Sequence, residues 1–200
     1  MEINEYFEIF KKVLDKVDPV QVMNMINEIL RVYKNDNQIF IIGNGGSAAK
    51  ASHLAQDLSK GTIPDINKEK RIRALSLTDN VPFITAVAND ENYENIFYIQ
   101  LKTFAKRGDC LISISGSGNS PNVIKAAEYA ISKGIKTIGI TGFDGGKLKK
   151  LCDISVHVPL NEMAMVESVH SVILHYTINY LRMVIEGTKF DNDNFNLIQN

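Results

Sequence analysis

The stretch QIFIIGNGGSAAKASHLAQ, at residues 38–56, contains the pattern that decides the fold. Residues 38–42 are mostly apolar and β-branched, which predicts a short buried strand. A glycine-rich turn follows at 43–46, and a helical pattern begins at residue 47. A strand that turns through glycines directly into a helix is typical of the units that build parallel α/β sheets.

Four more short apolar runs follow, and they are separated by helical patterns. We predict further strands at 71–77, 109–115, 136–141 and 153–158, with helices at 47–60, 81–88, 94–106, 121–133, 145–151 and 162–186. Strands that alternate with helices imply right-handed crossovers and a parallel sheet covered on both faces. The predicted fold class is therefore a doubly wound α/β fold with a five-stranded sheet.

Residues 3–35 precede this pattern and place apolar side chains at helical spacing, with a break at Asp18-Pro19. They predict two amphipathic helices that pack on the sheet of their own chain or on another subunit. Residues 187–200 are polar and predict a loose C-terminal tail. We therefore expect a single domain over 1–186 that includes the N-terminal helix pair.

The composition is that of a folded domain, with 44% hydrophobic and 22% charged residues in 200. Lys and Arg number 22 against 23 Asp and Glu, so the basic excess of nucleic-acid binders is missing and no nucleic-acid partner is expected. The acidic N-terminus differs from a signal peptide, and no 18-residue apolar run occurs, which favours a cytoplasmic protein without a membrane partner. Cys110, Cys152 and His157 lie in or beside apolar runs and are predicted to be structural.

Two loops have the chemistry of an anion site. The first, which we call the glycine loop (43–48), leads into a helix whose free N–H groups and positive dipole end favour an anion. The second, the serine loop (115–120), reads Ser-Gly-Ser-Gly-Asn-Ser and ends at Pro121, the first residue of another helix. In the flavodoxin-like strand order 2-1-3-4-5 both loops would face one crevice, where phosphate is the natural guest.

The glycine loop also matches the dinucleotide fingerprint G-x-G-x-x-G/A, so NAD is an alternative ligand. That motif expects an acidic residue at the end of the second strand, about 20 residues further on. Asp65 lies in a predicted loop and Asp79 comes too late in the chain. The sequence therefore favours a phosphate site and no NAD.

Histidines and carboxylates form a second constellation. His53 and Asp57 are four residues apart on one helix and project from one face. On the long C-terminal helix, Glu167 and His175 are about 80° apart, near enough to converge on one ligand. Two imidazoles with carboxylates suit zinc, although histidines at such positions are also common as structural residues.

Five segments of this sequence resemble, in order, the sugar isomerase (SIS) domain family, with the phosphoheptose isomerases as the nearest subgroup. They are GNGGSAAKASHLAQDL at 43–58, AVANDENYENIF at 86–97, ISISGSGNSPNVIKAA at 112–127, TGFDGGKL at 141–148 and VESVHSVILH at 166–175. The resemblance implies a flavodoxin-like fold, a phosphosugar substrate and a homotetramer with helices at its centre. It also implies that the serine loop holds the phosphate. The implied substrate-binding residues are Asn44, Gly45, Ser47, Asp90, Ser115, Gly116, Ser117 and Ser120, with Gly116 where the family often has Thr.

The same resemblance implies one zinc ion per subunit, with His53, Asp57, Glu167 and His175 as ligands. Asp57 and His175 are also implied as the acid/base pair of an aldose–ketose isomerase, which moves a proton between adjacent carbons through an enediol. Besides Gly116, four positions depart from the family: Asp57 replaces Glu, Glu167 replaces Gln, Ala164 replaces a common Asp, and Gly61 replaces an Arg.

We therefore expect an isomerase that converts sedoheptulose 7-phosphate to D-glycero-D-manno-heptose 7-phosphate, for lipopolysaccharide, capsule or other glycans. The four departures leave two alternatives open. One is an isomerase of another sugar phosphate, and the other is a non-catalytic SIS protein that binds a phosphosugar in a regulatory role. The retention of both histidines and two carboxylates disfavours the second, because a binding module has no need of them.

Overall fold

A computed structural model of the chain describes residues 2–188 and contains one five-stranded, all-parallel sheet in the order β2-β1-β3-β4-β5. The strands are β1 (Gln38–Gly43), β2 (Arg73–Ser76), β3 (Cys110–Ser115), β4 (Lys136–Thr141) and β5 (Ile154–His157). This sheet confirms the predicted doubly wound α/β fold. The predicted tail at 187–200 lies outside the described residues from 189 onward, and the domain bounds 1–186 remain a prediction.

Helices follow each strand, as the alternating pattern predicts. They are α1 (Ile3–Leu14), α2 (Pro19–Lys34), α3 (Gly46–Gln56), α4 (Val81–Asp90), α5 (Ile96–Phe104), α6 (Pro121–Ser132), α7 (Gly146–Leu151) and α8 (Met163–Glu186). A π-helical turn, Asp57–Gly61, continues α3, and a 3₁₀ turn, Tyr93–Asn95, precedes α5. Among the helices in the described part of the chain, none is long and apolar enough to cross a membrane.

The sheet has a separate apolar core on each face. Successive residues of β1 point to opposite faces, so Ile39 and Ile41 pack in the cluster with α2, α3 and α8. Phe40 and Ile42 pack in the cluster with α5 and α6. Burial on both faces explains why the central strands β1, β3 and β4 read as largely apolar runs rather than as an alternation.

The N-terminal helix pair packs on its own chain. Pro19 opens α2, and the Asp18 carboxylate accepts a hydrogen bond from the Val20 N–H at 2.8 Å, which separates the two helices. The buried side of α2 joins the core that contains α8. Apolar side chains of α1 and α8 also stay exposed, including Phe7, Val172 and Tyr176.

The strand order places the glycine loop and the serine loop side by side. Gly43, the last residue of β1, pairs in register with Ile114, next to the end of β3. The two loops therefore leave the same edge of the sheet from neighbouring strands, at the point where the strand order reverses. This edge is where open α/β sheets bind their ligands.

Candidate functional site

A pair of asparagines ties the two loops together. The Asn44 side-chain N–H donates to Asn122 Oδ1 at 2.9 Å, and the Asn122 side-chain N–H donates to Asn44 Oδ1 at 2.9 Å. Asn122 is buried in the first turn of α6. The hydroxyl of Tyr93 also donates to Asn44 Oδ1, at 3.1 Å. The Asn44 side chain is thus held by two elements, α6 and the 3₁₀ turn, and the two loops form one crevice.

The serine loop presents hydroxyl groups that are free to donate. Ser115 Oγ accepts from the Gly118 N–H at 3.2 Å, and Ser117 Oγ accepts from the Asn119 N–H at 3.3 Å. Each hydroxyl oxygen is used here as an acceptor, so its O–H is still able to donate to a ligand. Ser120 is the N-cap residue of α6, and its side chain makes no capping hydrogen bond within residues 2–188. Three hydroxyls and a helix start are what a phosphate requires.

Gly116 lies close to the side chain of Met163. A Cβ atom at this position would lie 2.6 Å from the sulfur of Met163, at the start of α8. A threonine, which the resemblance leads us to expect here, would therefore need Met163 to move. Because Met163 is 42% exposed and the contact involves the flexible end of its side chain, this contact alone does not require glycine at position 116.

The glycine loop forms the opposite wall of the crevice. Gly45 precedes α3 with φ of +54°, a conformation that favours glycine. Ser47 is buried in the first turn, where its N–H donates to the Asn44 carbonyl at 2.9 Å. Asp90 is exposed at the end of α4, and its carboxylate accepts from the Asn89 side chain at 2.8 Å.

Three of the predicted metal ligands lie together. One donor atom each from His53, Asp57 and His175 can be chosen so that all three lie within 4.8 Å of one another. His53 Nε2 is 3.2 Å from Asp57 Oδ2, and the two imidazole rings are 5.3 Å apart between centroids. We call these residues the His–Asp–His group. Two imidazoles and a carboxylate match the three protein ligands of a catalytic zinc site, which keeps its fourth position for water or substrate.

A π-helical turn begins at the acidic member of this group. Asp57 is the residue at which α3 gives way to the wider turn, and its carbonyl accepts from the Thr62 N–H five residues later at 3.0 Å. His53 lies one turn earlier, on the same side of α3. Insertions of this kind recur at functional sites, because they turn a side chain without ending the helix.

Glu167 lies outside the His–Asp–His group. Its Oε2 is 3.1 Å from Lys50 Nζ, across the gap between α8 and α3. The carboxylate also lies against the start of α3, since a Cβ on Gly46 would be 2.7 Å from the same oxygen. Sequence reasoning missed Lys50, although its spacing of three residues before His53 places it on the same helix face.

The other two histidines have structural contacts. His170 is fully buried in α8, its Nε2–H donates to the Thr141 carbonyl at 3.1 Å, and burial lowers its pKa to about 4. His157 Nδ1 lies 3.1 Å from the Thr141 hydroxyl, and its pKa is lowered, mainly by burial. Burial raises the pKa of the Cys110 thiol well above its usual range and that of Cys152 to about 12, so both thiols stay protonated at neutral pH.

Comparison with known proteins matches this geometry to one family. A model of the SIS domain matches residues 5–142, which include both loops and α3. The phosphoheptose isomerase of Aliarcobacter butzleri is 38% identical over 173 residues, covering 86% of each chain. That of Helicobacter hepaticus is 34% identical over 197 residues, covering 98% of this chain and 96% of its own.

Solved structures give the same result. A phosphoheptose isomerase from Francisella tularensis superimposes with a TM-score of 0.83 at 27% identity. One from Neisseria gonorrhoeae gives a TM-score of 0.81 at 29% identity. In both cases the similarity covers 90% of this chain and 96% of the other. The likeness therefore extends over nearly the whole fold.

Proposed function

This chain belongs to the SIS domain family, and on that premise we propose that it is a phosphoheptose isomerase. The proposed reaction converts the ketose sedoheptulose 7-phosphate to the aldose D-glycero-D-manno-heptose 7-phosphate. The observation that carries the proposal is the His–Asp–His group, which joins the end of α3, the helix that the glycine loop opens, to α8. The names of the relatives, at 34–38% identity over most of the chain, support the substrate.

The serine loop would hold the phosphate end of the sugar. The hydroxyls of Ser115, Ser117 and Ser120 and the first N–H groups of α6 can donate to the phosphate oxygens. Asn44, fixed by Asn122 and Tyr93, would contact the sugar from the opposite wall. Binding the phosphate at one end positions the reacting carbons at a set distance from it.

Asp57 and His175 would exchange the protons. Conversion of a ketose to an aldose needs a base that removes a proton from one carbon and an acid that protonates the neighbouring oxygen. The carboxylate of Asp57 and the imidazole of His175 lie on facing helices, so they can approach two adjacent atoms of one substrate. Asp57 is one methylene shorter than the Glu of the family, which requires the sugar to lie closer to α3.

We also propose that the His–Asp–His group holds one zinc ion per subunit. A zinc ion there would supply Lewis-acid polarisation of a substrate oxygen. The donor set suits the ion, because imidazole nitrogens and a carboxylate oxygen are its common ligands. The contact of Glu167 with Lys50 gives no support to Glu167 as a fourth ligand.

A homotetramer and a cytoplasmic location complete the proposal. The groove between α2 and α8 is lined by apolar side chains, with Val172 and Tyr176 both exposed on α8. Exposed apolar side chains on packed helices suit contact with other subunits. In the cytoplasm, the product would enter heptose synthesis for lipopolysaccharide, capsule or other glycans.

An NMR time course of sedoheptulose 7-phosphate tests the function directly. We expect an aldoheptose 7-phosphate to accumulate with zinc-loaded protein and not with chelator-treated protein. Binding that saturates without conversion would contradict an enzyme and favour a phosphosugar-binding protein. Conversion of a different sugar phosphate, with sedoheptulose 7-phosphate inert, would keep the isomerase and reject the substrate.

A further inference from the structure

The segment 142–148, between β4 and the first turn of α7, lies directly against the serine loop. The Gly142 N–H donates to the Gly116 carbonyl at 2.8 Å, and the Leu148 N–H donates to the Gly118 carbonyl at 3.0 Å. We call 142–148 the bracing segment, because these bonds hold the backbone of the serine loop from outside the crevice. The proposed reaction gives this segment no role of its own.

The side chain of Asn119 makes a further link between the serine loop and the bracing segment. Its Oδ1 accepts from the Lys147 N–H at 3.1 Å, and its Nδ2–H donates to the Ser117 carbonyl at 3.0 Å. The Asn119 N–H also donates to Ser117 Oγ at 3.3 Å. One residue therefore fixes both the backbone and the hydroxyl of Ser117 and ties them to the start of α7.

The serine loop and the bracing segment approach each other closely where both carry glycine. A Cβ atom on Gly118 would overlap the carbonyl oxygen of Gly145. A Cβ atom on Gly146 would be 2.5 Å from the Ser117 carbonyl oxygen and 2.6 Å from Asn119 Nδ2. The contact that Asn119 makes thus depends on a neighbouring surface that has no side chains.

We propose that Asn119 is a positioning residue, which holds the serine loop against the bracing segment in the shape that binds phosphate. Hydroxyl groups that are already ordered lose less conformational entropy on binding, so a braced loop binds an anion more tightly than a mobile one. The role needs no contact between Asn119 and the substrate, because its amide oxygen and nitrogen are bonded to the protein. The inference rests on the proposed function, since it assigns a role beside the proposed phosphate site.

Two variants remove this link from its two sides, and calorimetry with inorganic phosphate measures the result. Asn119→Ala deletes the amide, and Lys147→Pro deletes the N–H from which Asn119 Oδ1 accepts. Proline is tolerated in the first turn of a helix, where the N–H has no intrahelical partner. Lys147→Ala removes the same charge but keeps the N–H, so it is the matched control. We expect phosphate to bind about tenfold more weakly to Asn119→Ala than to wild type, and to Lys147→Pro than to Lys147→Ala.

The two losses should not add, because both changes break one contact. Asn119→Ala combined with Lys147→Pro should bind phosphate within about twofold of Asn119→Ala combined with Lys147→Ala. A direct contact between Asn119 and phosphate would instead leave Lys147→Pro equal to Lys147→Ala. That equality, an additive loss in the double variant, or wild-type affinity in Asn119→Ala would overturn the proposal.

A second pair of variants keeps the proposal testable if Lys147→Pro does not fold. Gly146→Ala places a Cβ atom between the serine loop and the bracing segment, at a residue whose φ is +54°. Gly134→Ala imposes similar backbone strain, at φ of +67°, but its Cβ would meet nothing nearer than 3.8 Å and it precedes β4 at the opposite edge of the sheet. Gly146→Ala should bind phosphate about tenfold more weakly, and Gly134→Ala should bind it as the wild type does. Equal affinities in these two variants would contradict the proposal.

Turnover of sedoheptulose 7-phosphate gives a readout that a general loss of structure would not. Asn119→Ala should raise KM about tenfold with kcat nearly unchanged, because the His–Asp–His group is untouched. A fall in kcat at constant KM would overturn the inference. Asn119 is exposed, so its replacement opens no cavity, and thermal melts should stay close to wild type.

Failure of this inference can be told apart from failure of the proposed function, since phosphate affinity is measured without turnover. A wild-type protein that binds phosphate but does not isomerise sedoheptulose 7-phosphate would reject the reaction, and the phosphate measurements would still decide the role of Asn119. A wild-type protein without affinity for inorganic phosphate would overturn the inference.

Discussion

Asp57 and Glu167 are two carboxylates beside one cleft, yet their neighbours differ in kind. Asp57 Oδ2 is 3.2 Å from an imidazole nitrogen of His53, whereas Glu167 Oε2 is 3.1 Å from the ammonium of Lys50. An imidazole and a carboxylate can bind the same metal ion. An ammonium group has no lone pair for a metal and can only neutralise the charge of the carboxylate. The comparison teaches that the partner of an acidic residue, more than the residue type, decides whether it is available to a metal or a substrate.

The largest effect on turnover is expected from replacing His175, the member of the His–Asp–His group that lies on α8. His175→Gln should lower turnover by about 100- to 10,000-fold, the contribution typical of a general acid or base. Binding of the sugar phosphate should persist, because the serine loop is untouched. Turnover by NMR and binding by calorimetry check both expectations, with Tyr176→Phe, one position along α8, as the control. Full activity in His175→Gln would contradict the role of His175 as an acid or base. It would also remove the reason to regard Asp57, rather than Glu167, as the carboxylate of the active site.

Replacing Asp57 by Asn removes the charge of the carboxylate that is available to a metal or a substrate. Asp57→Asn should reduce kcat/KM by about 100-fold, since the reacting atoms lose a group whose position matters at the scale of 1 Å. Asp57→Glu keeps the charge and should retain more activity than Asp57→Asn. The kinetics of the two variants, compared at one zinc concentration, check the order. If both variants were equally active, charge at this position would not matter.

The two histidines of α8 differ in the same way: His170 is buried, whereas His175 borders the cleft. Burial lowers the pKa of His170 to about 4 in the folded protein. As the pH falls below 6.5, this histidine therefore takes up a proton in the unfolded chain before it does so in the folded chain. Stability is then fully present above pH 6.5 and is lost toward pH 4, by about 2 kcal/mol at pH 5. Urea melts at pH 7.5 and pH 5 measure this loss. His170→Gln, which keeps a donor for the Thr141 carbonyl but does not titrate, should show a smaller loss.

The smallest effect on catalysis is expected from the serine loop, whose hydroxyls contact neither Asp57 nor Glu167 in the described residues. Ser120→Ala removes one hydroxyl donor to the phosphate and should raise KM by about tenfold, with kcat little changed, as expected for one hydrogen bond to a charged group. Ser132→Ala, at the other end of α6, is the matched control because its hydroxyl bonds only within its own helix. A fall in kcat with constant KM would place Ser120 among the reacting groups instead.

The sequence predicts the fold well because the parallel sheet is buried on both faces. The central strands β1, β3 and β4 therefore read as largely apolar runs that end at a polar residue or a glycine, whereas the edge strand β2 is partly exposed. The limits of β2 are the exception: 71–77 is predicted, and Arg73–Ser76 is observed. Arg71 belongs instead to the preceding loop, where its guanidinium donates to the carbonyls of Ile63 and Asp65 at 2.6 Å each.

The candidate site is less accessible to sequence reasoning, because it depends on how two helices pack. His53 and Asp57 are one turn apart on one helix, so their proximity follows from spacing alone. The pairing of Lys50 with Glu167 joins positions 117 residues apart, and only the rotation of α8 against α3 determines it. The π-helical turn at Asp57 likewise has no signature in the local pattern of apolar residues.

The strand order also has a kinetic consequence. The Asp109 carboxylate, just before β3, accepts from the Gln38 N–H at 2.9 Å across 71 positions of sequence, so the centre of the sheet closes only after a long intervening segment has been brought in. Such non-local pairing slows folding. Because the crevice does not exist before β1 and β3 meet, a sugar phosphate should slow unfolding of this chain while leaving its folding rate unchanged.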